Sequence, residues 1–154
     1  MITTGQYADL GNGIRLHYAS CGERDRPLVL FLHGFPEYWG AWDELLPAFA
    51  GSHFAAAPDL RGFNLSSQPA EVAAYRVRAI VDDLERFVTH LGFDRAIVVG
   101  HDWGGAVAWQ WAIARPGPEG AASRARGLPR PGACARGLGR GGHCAARHTS
   151  GWPD

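Results

Sequence analysis

Ala96-Ile97-Val98-Val99-Gly100-His101-Asp102-Trp103-Gly104-Gly105 is the stretch that decides how this chain reads. Its opening apolar run fits a strand covered on both faces, and residues 104–115 follow as a helix that Pro116 ends. Between the two the chain must reverse sharply. Gly100 and Gly104 stand two positions to either side of Asp102, the arrangement of a nucleophile elbow. Such a turn holds its central residue in a strained conformation, and its glycines let neighbouring backbone pass without a Cβ clash. Asp102 then projects into a cleft at the carboxyl end of the strand. Taken alone, the hexapeptide reads equally well as an Asp capping the helix that begins near Gly104.

Outward from this turn, short apolar runs alternate with helical patterns, as expected when crossover helices connect a largely parallel sheet. Residues 27–32, Pro-Leu-Val-Leu-Phe-Leu, form an unbroken run that predicts a central strand. Residues 7–10 and 14–19 flank Gly11-Asn12-Gly13 and read as an opening hairpin. A short helix is expected over 42–50 despite Pro47, then a strand over 54–57. The helix over 77–91 has the clearest signal, because Val77, Ile80, Val81, Leu84, Phe87, Val88 and Leu91 recur at spacings of three and four. That spacing assigns Asp82, Asp83 and Glu85 to its wet face.

His33-Gly34-Phe35-Pro36 follows the central strand, where an oxyanion-hole amide must come from if Asp102 is a nucleophile. This second loop tips the balance from helix cap to nucleophile. A carboxylate at the positive end of a helix stays ionised and needs no base to attack a saturated, electrophilic carbon. The product of that attack is an alkyl ester.

Three ordered stretches carry a family resemblance. His33-Gly34-Phe35-Pro36-Glu37, Asp59-Leu60-Arg61-Gly62-Phe63-Asn64-Leu65-Ser66 and the elbow hexapeptide are similar to signatures of epoxide-hydrolase-like α/β-hydrolases, over residues 5–116. The resemblance implies the N-terminal half of an α/β-hydrolase sheet, mostly parallel with an antiparallel start, flanked by helices. It implies Asp102 as catalytic nucleophile and the backbone N–H groups of Phe35 and Trp103 as the oxyanion hole. Pro36, Trp39 and Trp103 are expected at the substrate pocket, with the Trp103 indole lining it or binding a leaving group. Asn64 stands where the family pattern often has Gly, and Asn tolerates positive φ. Asp59 and Arg61 read as turn and ion-pair residues, while Trp39, Trp42, Trp109 and Trp111 read as packing or pocket wall.

The composition changes near Pro116. Up to that residue nine Arg face thirteen Asp and Glu, whereas 117–154 has six Arg against Glu119 and Asp154. The later stretch has no Val, Ile, Phe or Tyr, which leaves too little apolar surface to offset ordering entropy. Residues 1–116 therefore read as a partial hydrolase domain, and 117–154 as a disordered Gly/Arg/Pro-rich tail in which no further strand is expected. So abrupt a loss of pattern is what a frameshift near codon 116 would produce. Translation of the other two frames tests this, and failure to find an apolar strand with a downstream Asp and His would sink it.

The resemblance also implies a lid, an acid and a water-activating histidine beyond the nucleophile helix. No motif here matches them. His143 and His148 follow no strand signal, and Cys134, His143, Cys144 and His148 lack the paired spacing of a zinc site, so no metal ligands are assigned. No cofactor is implied, since glycines 100, 104 and 105 make no dinucleotide fingerprint.

The expected partner is a small molecule with an electrophilic carbon, epoxide or halide. Formal net charge of zero gives no nucleic-acid or membrane footprint. Residues 1–10 show no secretory signal and Cys21 reads as a free thiol, so a cytoplasmic protein is the expectation. Phe35 and Trp103 favour an epoxide hydrolase over a haloalkane or haloacid dehalogenase, the alternative enzyme. A non-catalytic truncated product or binding module is the alternative from another class.

Overall fold

In a computed structural model, residues 1–115 and 122–123 are described. The chain opens with β1 (Thr3–Asp9) and β2 (Arg15–Cys21), paired antiparallel about the expected turn. Gly11 and Gly13 both take positive φ there, 70° and 80°, and Leu10 N–H closes on the Ile14 carbonyl at 2.9 Å. Next come β3 (Leu28–Leu32), α1 (Leu45–Phe49), β4 (Phe54–Pro58), α2 (Val77–His90), β5 (Ile97–Gly100) and α3 (Trp103–Ala114). The sheet order is β1-β2-β4-β3-β5 followed by β6, the two residues Ala122–Ser123. β2 meets β4 antiparallel, and the β4/β3, β3/β5 and β5/β6 pairs are parallel. This is the mostly parallel sheet with an antiparallel start that the sequence predicts.

Strand alternation distributes β3 between two cores. Leu28, Leu30 and Leu32 pack with Phe54, Val98 and the inner faces of α2 and α3. Val29 and Phe31 pack on the opposite side with Ala55, Ala57, Leu46 and Trp42. All five β3 residues are buried, which explains the uninterrupted run in the sequence. On α2, Ile80, Val81, Leu84, Phe87 and Val88 are buried at the anticipated spacing. Full burial of a side chain such as Phe87 contributes about 2 kcal/mol.

Several expectations need correction. Residues 42–50 do not form one helix: a 3₁₀ turn spans Trp39–Trp42 and α1 begins only at Leu45. Pro47 is then in the first turn of α1, where its missing N–H leaves no intrahelical bond unmade. A second 3₁₀ turn, Val72–Tyr75, leads into α2 and carries no periodic signal. Asp83 is not on the wet face of α2. It is fully buried, and both its oxygens are held at 2.7 Å by the Arg61 guanidinium, which also donates to the Ala74 carbonyl. Arg61 is thus the ion-pair residue anticipated for it, with a partner the helical period assigned to water.

Trp42 and Trp111 are buried as expected, but Trp109 is 61% exposed, with Ile113 beside it on the outer face of α3. The absence of a strand after Pro116 is also corrected, because β6 pairs with Ile97 and Val98 through backbone bonds that need no large side chain. The remaining expectations for 116–154, including those on His143, His148, Cys134 and Cys144, lie outside the described residues. Among the described residues, no helix is long and apolar enough to cross a membrane.

Candidate active site

Parallel pairing aligns Leu32 of β3 with Gly100 of β5, so the loops leaving the two strands emerge side by side. His101 N–H ties them by donating to the Leu32 carbonyl at 3.1 Å. Asp102 stands at the tip of the β5 turn with φ 50° and ψ −117°, a conformation L-residues adopt only under tertiary constraint. The glycines around it are required by space. A Cβ on Gly104 would overlap the Leu32 carbonyl oxygen, and one on Gly34 would lie 2.7 Å from the Asp102 Cβ. A Cβ on Gly100 would lie 2.5 Å from the Gly104 carbonyl oxygen.

Asp102 occupies the N-cap position of α3, but its side chain makes no capping hydrogen bond there. Instead Phe35 N–H donates to Asp102 Oδ2 at 3.1 Å. The Phe35 amide, and after it that of Trp103, hold the Asp102 carboxyl below its ordinary value. Of the two amides named from the sequence, that of Phe35 makes the hydrogen bond to this carboxylate. The side chains around it are open: Phe35 is 72% and Trp103 42% exposed, Pro36 is exposed and follows a cis peptide bond, and Trp39 is half-buried. Trp39 packs against the Phe31–Trp42 core and stands edge-on to Tyr38.

Sequence reading gave Glu37 no role of its own. Its Oε2 accepts Gly34 N–H at 3.1 Å and lies 3.3 Å from His101 Nδ1, bridging the β3 loop to the elbow. The signal was present as an acid three residues after Gly34, the spacing at which a side chain reaches back to a free amide. Asp59, read as a turn residue, is the fully buried centre of a second network. It accepts Trp39 N–H at 2.8 Å, and His17 Nδ1 and Asn64 Nδ2 at 2.7 Å each. Asn64 has φ 44°, the positive value anticipated for it, and gains an amide contact that Gly would lack.

Residues 27–120 match the model of the alpha/beta hydrolase fold family. The chain belongs to that family, in its epoxide-hydrolase-like branch. Epoxide hydrolase 1 of Caenorhabditis elegans is 47% identical over 103 residues, which is 67% of this chain and 26% of the relative. An AB hydrolase superfamily protein of Bacillus subtilis is 46% identical over 106 residues, 68% of this chain and 37% of the relative. The crystal structure of an epoxide hydrolase from Vigna radiata superposes with a TM-score of 0.71 at 36% identity, covering 78% of this chain and 36% of that one. This α/β hydrolase thus spans between a quarter and two-fifths of the relatives it matches. Among its described residues, no group of three or more His, Cys, Asp or Glu side chains is placed to hold a metal ion.

Proposed function

We propose that Asp102 is a nucleophile that opens an epoxide to form an alkyl ester. One observation carries this reading: an exposed carboxylate at positive φ whose Oδ2 is held by the Phe35 amide rather than by a side-chain cation. A backbone amide orients the carboxylate without neutralising it, so it remains ionised and accessible. In the step proposed, a carboxylate oxygen bonds to one ring carbon, the bond from that carbon to the ring oxygen breaks, and the alkoxide takes a proton from water. The amides of Phe35 and Trp103 are the donors for the oxyanion that forms when water later attacks the ester. Pro36, Trp39 and Trp103 are assigned to the substrate side of this site. The Phe at position 35 and the epoxide hydrolases among the relatives favour an epoxide over a halide.

Release of the ester needs a histidine that activates water. His101, adjacent to the nucleophile, is turned to Glu37 instead. Stoichiometric alkylation without turnover is therefore expected of this 154-residue chain. The test is intact-mass spectrometry after incubation with a terminal aryl epoxide. A single adduct, mapped to Asp102 and lost in Asp102→Asn, is the expected result. No adduct would favour the non-catalytic reading, and sustained diol production would overturn the claim of an incomplete reaction.

A further inference from the structure

His33 is the first residue after β3, and its ring is fully buried. Its Nε2 lies 2.9 Å from Leu60 N–H, and its Nδ1 lies 2.8 Å from the Gly34 carbonyl oxygen. A backbone N–H only donates and a carbonyl only accepts, so both bonds form together in one state alone: the neutral imidazole with its proton on Nδ1. Burial pushes the imidazole below its ordinary value, against the pull of the Gly34 carbonyl, Asp59 and Glu37, which favours the same neutral state.

The carbonyl that His33 holds belongs to the Gly34–Phe35 peptide, the unit whose N–H reaches Asp102. This peptide is trans, so its C=O and N–H point in opposite directions from one plane. Glu37 N–H donates to the same carbonyl at 3.0 Å. Two donors on the carbonyl side therefore fix the direction of the amide on the other side. A flip of the peptide would break both bonds and turn the amide away from the carboxylate.

We infer that His33 is a positioning residue, which as its Nδ1–H tautomer orients the Phe35 amide towards Asp102 and anchors that loop to the one following β4. This rests on reading the Phe35 N–H as the oxyanion donor, and His33 itself touches neither carboxylate nor substrate. Its two nitrogens have separable tasks: Nδ1 aims the peptide, and Nε2 receives Leu60. An Asn side chain places its amide donor near Nδ1, whereas Gln places its polar end near Nε2.

The experiment is carried out on the full chain without substrate. The nitrogen-15 signals of the His33 ring should show the proton on Nδ1 in the native protein. In His33→Asn the Asp102 carboxyl, followed by carbon-13 NMR, should titrate as in the native chain; in His33→Gln it should titrate at higher pH because the Phe35 donor is misaligned. Where the adduct forms, alkylation should be about tenfold slower in His33→Gln and within about twofold of native in His33→Asn. A proton found on Nε2, or native titration of Asp102 in His33→Gln, would overturn the inference. Should His33→Gln fail to fold, the native tautomer still decides. Failure of the native chain to form an adduct would remove the functional reading alone, because tautomer and titration are measured without substrate.

Discussion

Asp59 and Asp102 come after the two strands that flank β3, so the sheet presents two aspartates at the same end. Asp59 is fully buried, with donors on both oxygens, two of them from the side chains of His17 and Asn64. Asp102 is exposed and is held by backbone amides. The difference arises from the path the chain takes on leaving each strand. After β4 it runs through 60–66 and returns a Ser66 hydroxyl to the Asp59 carbonyl, enclosing the carboxylate. After β5 it turns within two residues into α3 and leaves the carboxylate on the outside. Side-chain donors consume a carboxylate structurally, while amides on one side aim it.

The largest effect expected from breaking this contrast is complete loss of adduct in Asp102→Asn, read by intact mass. Its unfolding free energy in urea should remain native to within about 0.5 kcal/mol, because the side chain is exposed. Asp59→Ala should do the reverse and cost about 3 to 5 kcal/mol in urea denaturation, since it leaves buried donors unpaired. A loss below about 1 kcal/mol would mean that the buried network is not what holds these loops. Gly34→Ala should cost about 1 to 3 kcal/mol and slow alkylation, because the added methyl meets the Asp102 side chain.

Acid sharpens the contrast with a smaller effect. The Asp102 carboxyl is held below its ordinary value of 3.8, so its ionised form adds stability that is fully present above 3.8 and lost as pH falls through the lower folded value. Alkylation should correspondingly persist as the buffer is lowered to that ordinary value. His33 has a folded value below 6.5, so the unfolded chain binds its proton first and stability declines as pH falls from 6.5 towards the folded value. A melting temperature that rises over this interval would contradict a buried neutral His33. Asn64→Gly should be the mildest change, under about 1 kcal/mol, exchanging relief at φ 44° for the lost bond to Asp59.

Much of the fold was legible because periodicity records burial directly. Residues 28–32 read as a central strand from five consecutive apolar residues, and α2 read as a helix from its recurring apolar face. The Phe35–Asp102 pairing was legible too, since two glycine-bounded turns each come after an apolar run. Asp83 was not, because a charge at a helical position looks solvated until its partner, Arg61, is known to lie against it. The bonds from His17 to Asp59 and from Leu60 to His33 escaped for the same reason: they join positions 42 and 27 residues apart, and no local pattern encodes such pairing. The outer face of α3 failed differently, because a Trp in an apolar helix reads as core whether or not anything covers it.

That exposed face gives the protein a built-in optical contrast. Trp109 meets water while Trp111, two residues on, is shielded. Collisional quenchers should therefore remove the longer-wavelength part of the tryptophan emission first and leave the shorter-wavelength part. Trp103 at the elbow is also exposed, so anything that seats over Trp109 on α3 would narrow that difference and shift the emission part of the way to the blue.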